Sequence, residues 1–165
     1  MARIPAAPVA LRELTDETVE KAPLPTSPAD SLQLKVTSDP ANLAPVRKAI
    51  EAFATAHGFN ERAVAEIGLC VNEAMANVIR HAYGGRCDCP IHIAANIEPD
   101  GRTLAISQRD WGCGIDPKCL PRRPYDPLQP GGVGMICLRQ WMDEITYAPQ
   151  PDGGVLTTMR RRRKG

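Results

Sequence analysis

Two pairs of alternating segments, each pair joined by a short turn, constrain the fold of this chain more than any other feature. Residues 90–98 and 102–110 alternate apolar and polar side chains on either side of a Pro-Asp-Gly turn. Residues 144–150 and 154–162 repeat the arrangement around a Pro-Asp-Gly-Gly turn. A period of two on both sides of a turn is typical of a β-hairpin. The sequence therefore predicts an antiparallel sheet and argues against strands that alternate regularly with helices.

The remaining periodic segments supply one further strand and three helices. Residues 31–37 alternate and are predicted as a strand. A first helix runs to about His57, a second from about Glu61 to Tyr83, and a third covers residues 133–144. Because the strands are grouped in hairpins, we expect an α+β fold, a two-layer sandwich whose mostly antiparallel sheet is covered on one face by helices.

The start of the first helix can be placed in two ways. Asp39 can be the N-cap, with Pro40 at the first helical position, or Asn42 can be the N-cap, with Pro45 in the first turn. The second placement is preferred because it keeps proline out of the helix interior.

Length and composition indicate one folded domain with extensions at both ends. The chain has 165 residues, of which 43% are apolar, so it can bury a core. Residues 1–30 hold five prolines and no persistent period, and we expect a flexible N-terminal extension before a domain at 31–165. The run Arg160–Lys164 is expected to form a solvated basic tail. Because the net charge is only +1, direct nucleic-acid binding is not expected.

Several other classes of protein are disfavoured. No window approaches the ~18 apolar residues of a membrane helix, and Pro5 and Pro8 interrupt the N-terminal segment, which makes a poor signal peptide. We expect a soluble, cytoplasmic protein without a membrane partner. The six cysteines are expected to be free thiols. Cys87 and Cys89 form the one close pair, whereas structural zinc sites usually show two.

The second predicted helix places a carboxylate beside a carboxamide. Glu73 and Asn77 are four residues apart and therefore project from the same side of the helix. Asparagine is unfavourable inside a helix because its side chain competes for backbone hydrogen bonds, which suggests a role for Asn77. A carboxamide oxygen together with phosphates suits Mg²⁺. A solvated helix face is the alternative interpretation of Glu73.

Two glycine-containing segments follow. Asp110 ends a predicted strand and precedes Gly112 and Gly114, so an acid that can accept hydrogen bonds stands beside backbone that a ligand can approach closely. Gly132 and Gly134 stand at the start of the third helix, where backbone N–H groups and the helix dipole favour phosphate. The alternative interpretation of the first segment is an ordinary turn, and that of the second segment is a flexible loop.

Together and in this order, the three segments resemble an ATP-binding superfamily that includes DNA gyrase, a class of heat-shock chaperones, histidine kinases and mismatch-repair ATPases. Within it, Glu73 and Asn77 leading into His81-Ala82-Tyr83, and the glycines leading into residues 141–145, resemble the anti-sigma factor serine/threonine kinase family. The resemblance covers about residues 31–163 and implies the Bergerat ATP-binding fold.

The resemblance implies a role for each candidate residue. Glu73 would be the general base, Asn77 would bind the Mg²⁺ that bridges the ATP phosphates, and Asp110 would accept the amino group of adenine. Residues 116–131 would form a lid over the phosphates. Four glycines would line the nucleotide: Gly112, Gly114, Gly132 and Gly134.

The resemblance also implies a function, that of an ATP-dependent protein serine kinase and anti-sigma factor. Such a protein phosphorylates a STAS-type anti-anti-sigma protein, sequesters a sigma factor and forms a homodimer. A non-catalytic ATP-binding regulatory module is the main alternative, and a zinc-stabilised or purely protein-binding domain is a third. Glu73 favours the kinase, since a binding module needs no base. The Gly-Thr step that the family often has in its final hairpin reads Gly154-Val155 here, with Thr157 and Thr158 shortly after.

Overall fold

The order of helices and strands agrees with the order expected from the sequence. The computed structural model describes residues 30–113 and 133–164, with the backbone alone for residues 133–136. Nearly all of the expected N-terminal extension and lid, and also Gly114 and Gly132, lie outside the described residues. The elements are β1 (Ser31–Thr37), α1 (Leu43–Ala56), α2 (Glu61–Asn77), β2 (Pro90–Ile97), β3 (Thr103–Asp110), α3 (Val133–Trp141), β4 (Glu144–Pro149) and β5 (Val155–Arg162).

The strands form one antiparallel sheet in the order β1-β2-β3-β5-β4. Both predicted hairpins are confirmed, as β2 pairs with β3 and β4 pairs with β5. The register places Ile91 opposite Asp110 and Gln108 opposite Thr157. The end of β3 therefore lies between the start of β2 and the start of β5.

Helices cover one face of this sheet, which confirms the predicted two-layer α+β architecture. Ile67, Val71 and Met75 of α2 are buried against alternate strand residues such as Leu104 and Ile106 of β3. Helix α2 packs against both α1 and α3 and so forms the centre of the helical layer. Within the described part of the chain, no helix has the length and apolar character needed to cross a bilayer.

The start of α1 differs from the preferred prediction. The side chain of Asp39 accepts a hydrogen bond from the N–H of Ala41 at 2.8 Å and caps a 3₁₀ turn, Pro40–Asn42, that precedes α1. Asn42 has helical backbone angles, makes no side-chain cap, and donates to the carbonyl oxygen of Thr37 at 3.0 Å. The regular α-helix begins directly after Asn42, as predicted, but the capping hydrogen bond comes from Asp39, whose backbone is extended as an N-cap requires.

The second helix is also less regular than predicted. Regular α-helix ends at Asn77, and Val78–Ala82 form one π-helical turn. The N–H of Tyr83 accordingly bonds the carbonyl oxygen of Val78, five residues back, at 3.0 Å. A π turn changes the direction of the side chains that follow it, and such turns are frequent at functional sites.

Three residues of the expected basic tail belong to β5 instead. Arg160 pairs with Glu98 at 2.7 Å and with Glu144 at 3.2 Å. Arg161 pairs with Glu66 of α2 at 2.6 Å, where both side chains are nearly buried. A solvated tail is therefore wrong for Arg160 and Arg161, whose charges have partners in the sheet and in α2, whereas Arg162 lies in β5 with an exposed side chain.

Candidate functional site

The carboxyl group of Asp110 lies buried at the end of β3. Only 2% of the residue is exposed, and its Oδ1 accepts a hydrogen bond from the N–H of Gly112 at 3.0 Å. The backbone N–H of Val155 in β5 also bonds this carboxyl group. Burial raises the pKa of Asp110, while the two N–H groups and the charge of Arg109 act in the opposite direction. Because a carboxylate accepts more than two hydrogen bonds, it can still bind a donor from a ligand.

Gly112 allows the backbone after Asp110 to pass close to the π turn. A Cβ atom at this position would lie 2.5 Å from the Cβ of Ala82 and 2.6 Å from its carbonyl oxygen. The next residue, Cys113, donates its N–H to the same carbonyl oxygen at 3.1 Å. The segment after β3 is therefore packed directly on the chain that continues α2.

Tyr83 fixes the position at which the chain leaves β3. Its phenol donates to the carbonyl oxygen of Pro90 at 2.6 Å and accepts from the N–H of Trp111 at 2.8 Å. The residue is 8% exposed, and burial raises the pKa of its phenol. One buried hydroxyl thus connects the start of β2 with the residue that follows Asp110.

Glu73 and Asn77 lie on the C-terminal half of α2, partly exposed. Oε2 of Glu73 is 3.9 Å from a guanidinium nitrogen of Arg80. The carboxamide of Asn77 makes no hydrogen bond that caps the π turn, as far as the described residues show. Two residues before Asp110, Nε2 of Gln108 donates to the carbonyl oxygen of Ala74 at 3.2 Å, which joins β3 to this part of α2.

The structure thus brings Asp110 and Gly112 beside the C-terminal end of α2 and the π turn that extends it. Gly134 lies in the first turn of α3. At the position of the family's threonine, Val155 contributes its backbone N–H to Asp110, and Thr157 lies opposite Gln108.

Sequence reasoning missed Tyr83 as a bridging group and Val155 as a donor. In the sequence, Tyr83 could be recognised only as the last residue of the His81-Ala82-Tyr83 motif. The role of Val155 follows only from the register between β3 and β5.

The residues present fit a nucleotide with a magnesium ion. Asp110 is a desolvated acceptor, suited to an N–H donor that is itself out of water. Oε1 of Gln108 is buried and has no hydrogen-bond partner among the described residues, and such an atom is costly unless another group satisfies it. Asn77 supplies a carboxamide oxygen, which together with phosphate oxygens is a kind of donor set that suits Mg²⁺.

This two-layer α+β fold is that of the histidine kinase-like ATPase domains. The model of the histidine kinase-like ATPase domain family matches residues 36–161. The chain belongs to this family, and the resemblance to the anti-sigma kinases is confirmed by its curated relatives.

Those relatives carry two names. The chain is 25% identical over 122 residues to the serine-protein kinase RsbW of Oceanobacillus iheyensis, covering 70% of this chain and 77% of the relative. It is 24% identical over 137 residues to RsbW of Bacillus subtilis, covering 79% and 84%. It is 33% identical over 99 residues to the anti-sigma F factor of Bacillus velezensis, covering 58% and 65%.

Two solved structures share the fold. One contains the RsbU and RsbW domains of a Mycobacterium tuberculosis protein, with a TM-score of 0.59 and 19% identity. The match covers 87% of this chain and 34% of that one. The other is the histidine kinase domain of a blue-light activated kinase from Erythrobacter litoralis, with a TM-score of 0.51, 19% identity and coverage of 75% and 60%.

Proposed function

We propose that this protein is an ATP-dependent protein serine kinase and an anti-sigma factor. It transfers the γ-phosphoryl group of ATP to a serine of a STAS-type anti-anti-sigma protein, and it sequesters a sigma factor. The observation that carries the proposal is the buried carboxyl group of Asp110, held by two backbone N–H groups beside the end of α2. The names of the relatives, serine-protein kinase and anti-sigma F factor, support the choice of substrate and partner.

Each residue has one task in this proposal. Asp110 accepts the adenine amino group, and Gly112 and Gly114 leave room for the base. Gly132 and Gly134 line the phosphates, and Asn77 binds Mg²⁺. The metal ion, when bound, neutralises charge on the phosphates.

Glu73 acts in the transfer itself. The serine oxygen attacks the γ-phosphorus, the bond from phosphorus to the β–γ bridging oxygen breaks, and ADP leaves. Glu73 accepts the hydroxyl proton. Its carboxylate is partly exposed, as a base that meets a protein substrate must be.

Calorimetry with ATP tests the nucleotide site. Wild-type protein should bind ATP with Mg²⁺ and bind it more weakly in EDTA. Asp110→Asn should lose most of the affinity, because a carboxamide has one acceptor oxygen where a carboxylate has two. The absence of binding by wild-type protein in both conditions would refute the proposal.

Phosphotransfer separates the kinase from a non-catalytic regulatory module. One observation favours the module, since Oε2 of Glu73 lies 3.9 Å from a guanidinium nitrogen of Arg80 and is thus engaged in an ion pair. Wild-type protein is incubated with γ-labelled ATP and the anti-anti-sigma protein. Glu73→Ala should bind ATP normally and transfer no label. Label transfer at the wild-type rate by Glu73→Ala would exclude Glu73 as the base, and no transfer by wild-type protein would favour the module.

We further propose that the protein works in the cytoplasm as a homodimer. Light scattering of the purified protein should give twice the mass of the chain, and a monomer at micromolar concentration would contradict this part of the proposal.

A further inference from the structure

Three side chains form a cluster on the face of the sheet opposite to the described helices, next to Asp110 along the chain. Arg109 donates to Oδ1 of Asp152 at 2.6 Å and to the carbonyl oxygen of Gly153 at 2.7 Å, both in the β4–β5 turn. Its guanidinium carbon lies 4.4 Å from the ring centroid of Trp111. The indole Nε1 of Trp111 donates to Oδ2 of Asp152 at 3.0 Å. We call Arg109, Trp111 and Asp152 the clamp.

The clamp joins two segments that are far apart in sequence. Arg109 and Trp111 flank Asp110 on β3, whereas Asp152 lies in the turn more than 40 residues later. Arg109 also donates to the backbone carbonyl oxygen of Asp110. Although it lies on the face of the sheet that none of the described helices covers, its side chain is only 14% exposed. The three side chains therefore hold the turn against the end of β3 through directed hydrogen bonds, each of which has at least one charged partner.

The two backbone donors that orient Asp110 lie immediately beyond clamp residues. Gly112 follows Trp111, and Val155 follows the Asp152-Gly153-Gly154 turn. Both donate to the Asp110 carboxyl group. A displacement of the turn would move the N–H of Val155, and a displacement of Trp111 would move the N–H of Gly112. The orientation of the Asp110 carboxylate thus depends on the clamp, although the clamp side chains lie on the opposite face of the sheet.

We propose that the clamp positions the carboxylate of Asp110 for selection of adenine over bases that lack an amino group at the same place. This inference rests on the proposed function, because it assigns the specificity of the same nucleotide site. Arg109, Trp111 and Asp152 are positioning residues that act through Asp110. Hydrogen-bond selection of a base requires the acceptor to be held within about 0.5 Å and 10–20°. If the position of the Asp110 carboxylate is no longer fixed, the site still accepts a nucleotide but no longer distinguishes a base with the amino group from one without it.

Binding of ADP and of IDP, both with Mg²⁺, tests this inference. IDP has the same phosphates and sugar but a carbonyl oxygen in place of the adenine amino group. Wild-type protein should prefer ADP. Arg109→Met should weaken ADP binding about tenfold and leave IDP binding nearly unchanged, so the preference collapses. Arg160→Met is the matched control, because Arg160 lies on the same face of the sheet opposite Ala105, which is four residues or about 13 Å along β3 from Arg109.

A second variant guards against misfolding of Arg109→Met. Trp111→Phe retains an aromatic ring under the guanidinium group but removes the indole N–H bonded to Asp152 together with part of the ring system. The ratio of ADP to IDP affinity should therefore fall by about threefold. An unchanged ratio in both variants overturns the inference, and so does an equal loss of both nucleotides, which indicates a merely structural role. If wild-type protein binds neither nucleotide, the proposed function fails first and the clamp with it.

Discussion

Asp110 shows how a single residue combines a structural cost with a functional gain. Its carboxyl group is removed from water, which raises its pKa and makes the charged form costly. Two backbone N–H groups offset part of that cost and leave further lone pairs free. Such an acceptor rejects ligands without a donor, because a buried charge left unpaired is unfavourable.

We predict that ADP affinity falls on acidification with a midpoint above the ordinary pKa of aspartate, which is about 4. Because the folded-state pKa of Asp110 is raised, its contribution to folding stability is greatest at low pH and is lost as pH rises through that pKa. ADP requires the charged form, so its affinity rises across the same interval. Calorimetry without Mg²⁺ from pH 4.5 to 7.5 measures the change. Asp110→Asn should bind weakly at every pH, and an equally steep pH dependence in that variant would assign the titration to another group.

We predict that Asn77→Ala removes the Mg²⁺-dependent part of ATP affinity and leaves the fold intact. The side chain is partly exposed and caps no helix, so its removal costs little stability. Affinity for ATP in EDTA should match that of wild-type protein. Asn72→Ala, another partly exposed asparagine of α2, is the control and should retain the response to Mg²⁺. The same Mg²⁺ response in Asn77→Ala and in wild-type protein would remove Asn77 as the ligand.

At the level of elements, the β4–β5 turn matters because it places the start of β5 beside the end of β3. Gly153 and Gly154 both have positive φ, at +91° and +70°. Of the two, only Gly154 lacks space for a Cβ atom, which would overlap the backbone carbonyl group of Asp110. The hairpin thus needs one glycine for its conformation and the other for conformation and close approach.

We predict that Gly154→Ala destabilises the protein more than Gly153→Ala. A positive φ costs an alanine roughly 1–2 kcal/mol at either position. Overlap with Asp110 adds about 1–3 kcal/mol at Gly154 alone. Urea denaturation of both variants gives the difference, and Gly154→Ala should also weaken ADP binding. Equal free energies of unfolding for the two variants would show that the turn moves away from β3 without cost.

Across the whole molecule, Arg161 connects three elements that the sequence keeps apart. From β5 it pairs with Glu66 of α2 at 2.6 Å and donates to the carbonyl oxygen of Trp141 at the end of α3. Helix α3 carries Gly134 in its first turn. Arg161 therefore joins the end of α3 to the central helix α2.

We predict that Arg161→Met costs about 3 kcal/mol, because it leaves Glu66 nearly buried without its main partner. The double variant Arg161→Met with Glu66→Gln should be more stable than the sum of the two single changes implies. Arg62 also pairs with Glu66 but is 88% exposed, so Arg62→Met should cost less than about 1 kcal/mol. Chemical denaturation measures all four variants. Strictly additive effects would mean that the pair contributes nothing beyond separate contacts.

The sequence by itself determined the strands, both hairpins, the α+β class and the family, because alternation and turn residues are local and the motif segments are contiguous. It also supplied Glu73, Asn77 and Asp110 as site candidates, through residue types that are unusual in their places. The roles of these residues remain predictions until nucleotide binding and transfer are measured.

The tertiary structure alone decided the partners of those residues. Arg161 and Glu66 are 95 positions apart, and Arg109 and Asp152 are 43 apart, so no local pattern joins them. The π turn after Asn77 and the cap at Asp39 likewise depend on backbone geometry that neighbouring segments impose. Periodicity reports which side of an element is buried, whereas register and packing decide which buried or charged groups meet.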